Sequence, residues 1–480
     1  MKIVVSAAQM AAADRYTIDR LGIQGLDLME TAARSCFDIL MDRTPSPCPI
    51  AVLVGSGNNG GDGLALARML AAANYSVTVF ALKPRAQFKG EAAAMYDRLL
   101  ASGVTPVTIK NVRDFQIKED TAWIVDGLLG TGLAGPARGL AAEVIEAANA
   151  QKVPKFAIDL PSGLSGNHGF PMGAHIQAKL TVTFQNLKFP HVVSPACLAC
   201  GEVVVCDIGI QFEEVESLAS YFCEPADFAR PPRALDSHKG RYGYLGILGG
   251  FEGMTGAANL AGVAALRFGA GKVRILTDQP IMLRHDSLMT GHWNEMDGQP
   301  FDGMVIGPGL SRRRDVFEAL ANVDFPRVPI VWDADGLYFL KSLAHIPGEP
   351  WVMTPHPGEA AHLLDSKAGE VQKNRMKAIT ALAEKYPGGW IVLKGYRTLV
   401  RSPEGEMFVI GPGNPALATA GSGDVLAGMI GSVLAQGLPA DEAVLLACLR
   451  HGMAADRWVQ HHPDHSMLAE DIIGDLRFYP

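Results

Sequence analysis

The sequence has little of what three broad classes of protein require. Only seven of its 480 residues are cysteine, at irregular spacing, which indicates a reducing compartment rather than a disulfide framework. No uninterrupted apolar run reaches the roughly 18 residues of a membrane span. Lysine and arginine number 42 against 50 acidic residues, a formal net charge of −8, so the basic surface that binds nucleic acid is lacking. We therefore expect a cytoplasmic protein with neither a membrane nor a nucleic-acid partner.

The rest of the composition is that of a globular chain, 48% hydrophobic and 19% charged. Short apolar runs alternate with helical segments rich in alanine and leucine, which is typical of a doubly wound parallel α/β sheet. The predicted strands cover residues 50–55, 76–82, 122–126 and 155–159 in the first half, and residues 243–249, 272–277, 303–307, 329–333, 351–354 and 390–394 in the second.

An acidic and proline-containing stretch, residues 211–233, separates the two series of strands. We predict a first domain at 1–215, a linker at 216–233 and a second α/β domain at 234–480. The first domain opens with Ser6 followed by Met10, Ala13 and Thr17 at helical spacing. This pattern predicts an N-capped amphipathic helix rather than a signal peptide.

A glycine-rich segment follows the first of the predicted strands. Residues 55–63 read GSGNNGGDG and precede helical text, a position where backbone N–H groups and the helix N-terminus bind phosphates. The segment differs from both the dinucleotide and the Walker fingerprints, because Asn58, Asn59 and Asp62 add side-chain oxygens. The alternative is a plain strand-to-helix turn with asparagine capping.

Carboxylates end the third and fourth predicted strands of the first half. Asp126 opens DGLLGTGLAGP, and Asp159 opens DLPSGLSG. The carboxyl ends of parallel strands converge on one crevice, so these groups are candidates for a shared site. Each aspartate taken singly could equally cap a turn.

Residues 6–209 resemble the NAD(P)H-hydrate epimerase domain, which has a Rossmann-like fold. The resemblance is carried by SAAQMAAADRYTIDRLGI, LME, GSGNNGGDG, DGLLGTGL, DLPSGL and DIGI, in this order. That family interconverts the R and S hydrates of NADH and NADPH (NADHX and NADPHX), in which water has added to the nicotinamide ring. The resemblance implies that Asp159 contacts the ring and transfers a proton, and it leaves the role of Lys188 open.

The same resemblance implies two further sets of residues. A potassium ion would be bound by Asn59, Asp126 and Ser162. The substrate would be held by Asn58, Asn59, Gly60, Gly61, Asp62, Gly130, Thr131, Gly132, Leu133, Ala134, Gly135, Pro136 and Asp159.

The second half contains the segment NPALATAGSGDVLAG at residues 414–428. A Gly-Ser-Gly-Asp turn that opens a helix presents N–H groups to a phosphate, and Asp424 is placed to accept a proton from an attacking hydroxyl. The alternative is a simple helix cap. The full segment resembles the ribokinase-like superfamily.

Other polar turns follow the predicted strands of this half at residues 307–310, 333–336, 354–359 and 394–398. His356 lies between two prolines, which favours a substrate contact over a core position. Asp333 and Asp335 could hold magnesium or cap a turn.

From residue 238 onward the chain resembles the NAD(P)H-hydrate dehydratase family, through HKGRYGYLGILGG, GPGL, WDADGLYFL, TPHPGEAAHLL and LKGYRTLV. The resemblance implies hydrate contacts at Ala257, Gly309, His356 and Asp424. It implies nucleotide contacts at Lys394, Gly395, Tyr396, Arg397, Thr398 and Gly423. Tyr396 stands where the family often has alanine.

Together the halves suggest an enzyme that epimerises NADHX and NADPHX and dehydrates the S form with Mg²⁺ and ADP or ATP, ADP being favoured because fused forms typically use it. We also expect a homo-oligomer. Two alternatives stay open: the second half could be a kinase for a vitamin precursor, or the first half a non-catalytic binding scaffold.

Overall fold

The computed structural model describes residues 1–44, 46–215, 218–229, 232–296 and 298–478. Two compact units make up the chain, Lys2–Leu218 and Ala219–Pro480. Of the segment predicted as a linker, residues 216, 217, 230 and 231 lie outside the described part. Within the same segment Ser220–Cys223 is a strand rather than linker. Its short run SYFC pairs with another strand of its unit, and the flanking acidic and proline residues conceal this pairing in the sequence.

The first unit contains one parallel sheet with helices on its faces. Its elements are β1 (Lys2–Val5), α1 (Ala7–Asp19), α2 (Gly25–Arg43), β2 (Pro49–Val54), α3 (Asn58–Ala72), β3 (Ser76–Ala81), α4 (Gly90–Ala101), β4 (Val107–Thr108), β5 (Trp123–Gly127), α5 (Leu140–Ala150), β6 (Lys155–Ile158), β7 (Leu180–Phe184), β8 (Leu187–Lys188), α6 (Phe189–Val192) and β9 (Glu202–Cys206).

The sheet order is β4-β3-β2-β5-β6-β7-β9, and every pairing in it is parallel. Strand β1 pairs separately with β8. One face of the sheet packs against α1 to α4, and the other packs against α5. The four strands predicted for this half are present as β2, β3, β5 and β6, so the expected α/β class is confirmed.

Helix α1 begins where the sequence predicts it. The Ser6 side chain accepts a hydrogen bond from the Gln9 backbone N–H at 3.2 Å, and the Ser6 N–H donates to Gln9 Oε1 at 2.9 Å. These two bonds satisfy donors that a helix start leaves open. Met10, Ala13 and Thr17 are buried, so this face of α1 packs into the core and the adjacent face is free to line a site.

The second unit has its own, mostly parallel sheet. Its elements are β10 (Ser220–Cys223), β11 (Tyr244–Leu248), α7 (Thr255–Arg267), β12 (Lys272–Thr277), β13 (Leu288–His292), β14 (Gly303–Ile306), α8 (Arg314–Leu320), β15 (Ile330–Trp332), α9 (Asp335–Leu340), β16 (Trp351–Met353), α10 (Pro357–Leu363), α11 (Ala368–Lys373), α12 (Arg375–Lys385), β17 (Trp390–Leu393), β18 (Leu399–Arg401), β19 (Met407–Ile410), α13 (Ser422–Ala435), α14 (Ala440–Trp458) and α15 (Ala469–Asp475).

In this sheet the strands run β13-β12-β11-β14-β15-β16-β17-β18-β19-β10. Strand β18 is antiparallel to both of its neighbours. The six strands predicted for this half are present as β11, β12, β14, β15, β16 and β17. Among the described residues, no helix is both long and apolar enough to cross a membrane.

Helices α7 and α13 pack at very close range in the core of this unit. A Cβ atom on Gly428 of α13 would lie 2.1 Å from the carbonyl oxygen of Ala261 of α7. No side chain fits between the two backbones there, which explains why both helices are rich in small residues. The close packing fixes α13, and with it the turn that bears Asp424.

We expect Gly428→Ala to destabilise the second unit by about 1–3 kcal/mol, because the added methyl group forces the helices apart. Gly474→Ala is the matched control, since a Cβ atom on that helical glycine meets nothing within 4 Å. The control should be neutral or stabilising by up to about 1 kcal/mol. Urea unfolding of the full chain measures both changes, and equal effects would contradict the packing argument.

Candidate functional site

The first unit encloses a cavity of about 830 Å³. It lies beyond the carboxyl ends of β2, β5 and β6, where an open parallel sheet binds ligands. Of the residues expected to hold the substrate, Asn58, Asn59, Asp62, Gly130, Thr131, Gly132, Leu133 and Asp159 line it. Gly60, Gly61, Ala134, Gly135 and Pro136 are not among its lining residues.

Gly60 has a structural role behind this wall. A Cβ atom on Gly60 would lie 1.9 Å from the carbonyl oxygen of Gly55, and one on Gly55 would lie 1.9 Å from that of Leu128. The loops after β2 and β5 therefore pack backbone against backbone. This packing holds the N-terminus of α3 towards the cavity, where its N–H groups can donate hydrogen bonds to an anion.

Asp126, Ser162 and Asn59 come together behind the same loops. The fully buried Asp126 accepts hydrogen bonds from the Ser162 hydroxyl at 2.5 Å and the Ser162 N–H at 2.7 Å. Asn59 Nδ2 donates to the carbonyl of Leu129 at 3.0 Å, and the Leu129 N–H donates to Ser162 Oγ at 2.8 Å. Burial raises the pKa of Asp126 to about 6.

The buried Asn59 Oδ1 has no hydrogen-bond partner. An unpaired buried oxygen is costly. Together with the Asp126 carboxylate and the Ser162 hydroxyl, it forms an all-oxygen set of the kind that binds hard cations. The three residues expected to bind a cation are thus adjacent, and their donor chemistry fits one.

Asp159 follows β6 directly and forms an ion pair with Lys188. Lys188 is 1% exposed, and its Nζ donates to Asp159 Oδ1 at 2.7 Å, Thr183 Oγ1 at 2.9 Å and the Phe184 carbonyl at 2.9 Å. All three ammonium protons are therefore used. Burial alone would raise the pKa of Asp159, but the Lys188 ammonium outweighs it and the pKa is lowered.

His191 supports this pair from behind. Its Nδ1 accepts from the Lys188 N–H at 2.9 Å, so its Nε2 carries the hydrogen that is donated to the Asp159 carbonyl at 2.8 Å. Burial lowers the pKa of His191 to about 4, which keeps the ring neutral. These bonds hold Asp159 at φ 60°, a strained conformation for a non-glycine residue and common at functional sites.

Two further carboxylates of the cavity have raised pKa values. Burial raises the pKa of Asp14 on α1 to about 6. Burial, followed by the charges of Asp159 and Asp14, raises the pKa of Asp62 well above its ordinary value. Neither Asp14 nor the contacts of Lys188 can be predicted from the sequence, because a single charged residue on a helix or strand carries no motif.

The second unit has a comparable cluster at the ends of β15, β17 and the start of α13. Lys394 Nζ lies 2.6 Å from Asp333 Oδ1 and 3.8 Å from Glu359 Oε2. The Thr354 hydroxyl also donates to Asp333 Oδ1, at 2.7 Å. A Cβ atom on Gly423 would lie 3.2 Å from Lys394 Nζ, so the turn that opens α13 lies against this ammonium.

Asp424 titrates near neutrality in this environment. Burial and the neighbouring Asp333 raise its pKa to about 7, although the Lys394 ammonium opposes them. Burial likewise raises the pKa of Glu359 to about 7. A carboxylate with such a pKa is suited to accept a proton at physiological pH.

His356 caps helix α10 at the edge of the cluster. Its Nδ1 accepts from the N–H groups of Gly358 at 2.9 Å and Glu359 at 3.3 Å, and its Nε2 lies 3.3 Å from Glu359 Oε1. Its side chain is 53% exposed, which leaves a face for a ligand. Gly309 and Ala257 lie against each other, since a Cβ atom on Gly309 would be 3.3 Å from Ala257 Cβ.

Five of the six residues expected at the nucleotide, 394–398, form the turn after β17, and the sixth, Gly423, lies at the start of α13. The Arg397 guanidinium donates to the Gly411 carbonyl at 2.6 Å, and the Thr398 hydroxyl donates to the Gly395 carbonyl at 2.9 Å. Tyr396 is 43% exposed. Arg375, which the sequence analysis does not identify, is buried beneath the turn and donates to the Leu393 carbonyl at 2.9 Å.

Asp333 and Asp335 do not form a ready magnesium pair. Asp333 is bound to Lys394, as described above, and Asp335 accepts from Arg312 Nε at 2.6 Å and the Ser311 N–H at 3.0 Å. Among the described residues there is no group of three or more His, Cys, Asp and Glu that could hold a metal. A divalent ion here would need ligands from a bound phosphate.

Both units thus present phosphate-type turns beside carboxylates of perturbed pKa, which defines an α/β enzyme with two separate sites. A family model described as YjeF-related protein N-terminus matches residues 25–189, and one described as NAD(P)H-hydrate dehydratase matches residues 245–477. The chain belongs to the family of bifunctional NAD(P)H-hydrate repair enzymes, which confirms the family expected from the sequence.

Two full-length relatives support this assignment. The bifunctional NAD(P)H-hydrate repair enzyme of Coxiella burnetii is 35% identical over 99% of this chain and 99% of its own. The enzyme of the same name from Escherichia coli K12 is 35% identical over 97% of this chain and 91% of its own. A crystal structure of the ADP/ATP-dependent NAD(P)H-hydrate dehydratase of Bacillus subtilis, co-crystallised with ATP/Mg²⁺, is 32% identical over 52% of this chain and 92% of its own, with a TM-score of 0.47.

We expect Lys188→Met to destabilise the first unit by about 3–5 kcal/mol at neutral pH, because it leaves the Asp159 carboxylate buried without its ammonium. The pKa of Asp159 should rise, so the loss should shrink as the pH falls and this carboxylate takes up a proton. Urea unfolding across a pH series measures the loss. The double variant Lys188→Met with Asp159→Asn removes both charges and should recover much of the stability; no recovery would show that packing, not charge, is responsible.

Proposed function

We propose that the chain restores hydrated nicotinamide nucleotides in two steps. The first unit interconverts the R and S hydrates of NADH and NADPH, and the second dehydrates the S hydrate at the expense of ADP or ATP. The observation that supports this proposal best is the presence of two similarly built clusters of residues in a chain of this family. Each site has a phosphate-binding turn, an ion-paired aspartate at a strand end and a second carboxylate of raised pKa.

In the first site Asp159 would exchange the proton of the carbinolamine hydroxyl. Its carboxylate is kept ionised by Lys188 and is fixed by Thr183, whose hydroxyl donates to Oδ1 at 2.9 Å. The N-terminus of α3 and the loop at residues 130–133 would hold the phosphates. The cavity, of about 830 Å³, is large enough for a nucleotide.

A potassium ion fits the oxygen set described above. Asn59, Asp126 and Ser162 would hold it, and its charge would balance the buried carboxylate and pair the orphaned Asn59 oxygen. The surrounding loops after β5 and β6 carry the residues expected to contact the substrate. The conformation of these loops would therefore depend on the same three side chains.

In the second site Asp424 would act as the general base. Its carboxylate would take the proton of the ring hydroxyl as that oxygen attacks the terminal phosphate of the nucleotide, and the N–H groups at the start of α13 would stabilise the developing charge. Phosphate is a better leaving group than hydroxide, so phosphate and a proton of the adjacent ring carbon are then eliminated together, and the ring double bond is restored. The surplus of carboxylates around the Lys394 ammonium fits Mg²⁺, which Glu359 and the phosphates would hold.

The two steps complement each other because hydration of the ring creates both epimers, whereas the dehydratase uses one. We place this repair in the cytoplasm. All seven cysteines are free thiols, which supports a reducing compartment. The direct test supplies purified R or S hydrate with Mg²⁺ and ADP or ATP and follows the return of reduced nicotinamide absorbance. Failure with the S hydrate and both nucleotides would refute the dehydratase, and no gain over spontaneous conversion of the R hydrate would refute the epimerase.

Asp424→Asn should lower the dehydration rate of the S hydrate by about 10²–10⁴, because the variant lacks the base. Wild-type dehydration should rise with pH through about 7 as Asp424 loses its proton, and this rise should be absent from the variant's residual rate. Epimerisation, which depends on another unit, should be unchanged. The two rates are measured on one preparation, with a separate dehydratase added for the epimerase assay; normal dehydration would exclude Asp424 as the base.

Asp159→Asn should slow use of the R hydrate by about 10²–10⁴ and leave use of the S hydrate intact. Asparagine is chosen because it can still accept the hydrogen bond from Lys188; it leaves this buried ammonium without its counter-charge, so the melting temperature of the variant is measured as well. Early rates are compared above the enzyme-free background. Adding a separate active epimerase should rescue the variant, and equal early rates in variant and wild type would remove Asp159 from the mechanism.

A further inference from the structure

One face of helix α1 forms part of the cavity wall in the first unit. Met10, Ala11, Asp14, Arg15 and Ile18 all line the cavity, and their spacing places them on one side of the helix. Asp14 is at the centre of this face and is only partly exposed. The Ser6 capping box and the buried face of α1 fix its position.

The charges that face Asp14 come from several elements. Its pKa responds to the Lys188 ammonium, the Asp159 carboxylate and the neighbouring Arg15, and its own charge raises that of Asp62 on α3. The other charged residues lining the cavity are Lys83, which follows β3, and Glu91 on α4. Asp14 therefore belongs to the same electrostatic cluster as Asp159.

The proposed reaction needs two proton-transferring groups. When the carbinolamine ring opens, the hydroxyl loses a proton, the bond between carbon and ring nitrogen breaks, and the nitrogen gains a proton. Asp159 supplies the base for the first transfer. Lys188 cannot supply the second proton, because its three N–H bonds are donated to Asp159, Thr183 and the Phe184 carbonyl.

We propose that Asp14 is the second catalytic acid–base residue of this site, acting on the ring nitrogen while Asp159 acts on the hydroxyl. The inference rests on the proposed epimerase function and deepens it. In the opening step the Asp159 carboxylate takes the hydroxyl proton, the electrons of the carbon–nitrogen bond pass to nitrogen, and the Asp14 carboxylic acid protonates that nitrogen. The resulting aldehyde rotates, the nitrogen attacks its other face, and both protons return to their original partners.

The electrostatics of the two carboxyls suit these opposite roles. Burial raises the pKa of Asp14 to about 6, whereas the ammonium of Lys188 lowers that of Asp159. Environments that separate the pKa values of two neighbouring carboxyls commonly mark an acid and a base. Asp62, more deeply buried, lies in the second turn of α3, within the segment expected to bind phosphate, and we assign it to that segment.

The test compares Asp14→Asn with Asp19→Asn in the full chain. Asp19 is an exposed residue at the end of the same helix, so the control makes the same change of charge without touching the cavity. The R hydrate of NADH is supplied with excess dehydratase, and kcat and KM for epimerisation are measured from pH 5 to 8 above the enzyme-free background. The melting temperature of each variant and its affinity for NADP⁺ at the cavity report folding.

We expect Asp14→Asn to lower kcat by about 10²–10³ with KM changed less than about threefold. Wild-type kcat should fall as the pH rises through about 6, because the donor loses its proton, and this fall should vanish in Asp14→Asn. Asp14→Glu, which keeps an acid, should recover part of the rate and the pH dependence. Asp19→Asn should match the wild type.

Two results would overturn the inference while leaving the proposed function in place. One is a wild-type rate in Asp14→Asn; the other is a reduced rate with the fall near pH 6 retained, which would make Asp14 a structural residue. A wild type unable to convert the R hydrate above background would instead refute the epimerase function itself. A folded, ligand-binding variant with a flat, slow profile supports the inference.

Discussion

The structure of each site depends on a lysine ammonium that is withdrawn from water and bound to an aspartate at the end of a parallel strand. In the first unit Lys188 binds Asp159, which follows β6, and in the second Lys394 binds Asp333, which follows β15. Breaking such a pair leaves a buried charge without compensation. The loops that carry these residues are therefore held in one arrangement, and the other site residues are positioned against it.

The same pairs determine where protons reside. Each ammonium lies near more carboxylates than it can neutralise, so other carboxyls of the same cluster have raised pKa values. Asp14 in the first unit and Asp424 in the second are the clearest examples, with pKa values of about 6 and 7. Both are held on helices whose positions the core fixes, α1 by its buried face and α13 by its close contact with α7.

Much of this architecture is predictable from the sequence, for reasons that are local. Strands such as β2 and β17 are short apolar runs followed by glycine-rich or polar turns, and helix α1 begins at a recognisable cap. Strand β10 is not predictable in this way, because its pairing with β19 joins residues far apart in the chain. The prolines and acidic residues that flank this strand are typical of a linker.

The functional residues likewise differ in whether the local sequence predicts them. Motifs reveal Asp159 and Asp424, which stand in turns of distinctive composition. They leave the role of Lys188 open, and they do not reveal Arg375 or Asp14, each a single polar residue outside any motif. What gives these residues a role is burial and the neighbours that the topology brings to them, and neither property is encoded within a few residues of the chain.

Each site draws its described side chains from a single unit. The same electrostatic construction nevertheless occurs in both, with different turns and different sheets. Its common effect is a division between one carboxyl bound to an ammonium and a second carboxyl of raised pKa. Both proton exchange at a carbinolamine and deprotonation of an attacking hydroxyl require that division, so the construction can serve either reaction, and the shape of the surrounding loops decides which one it serves.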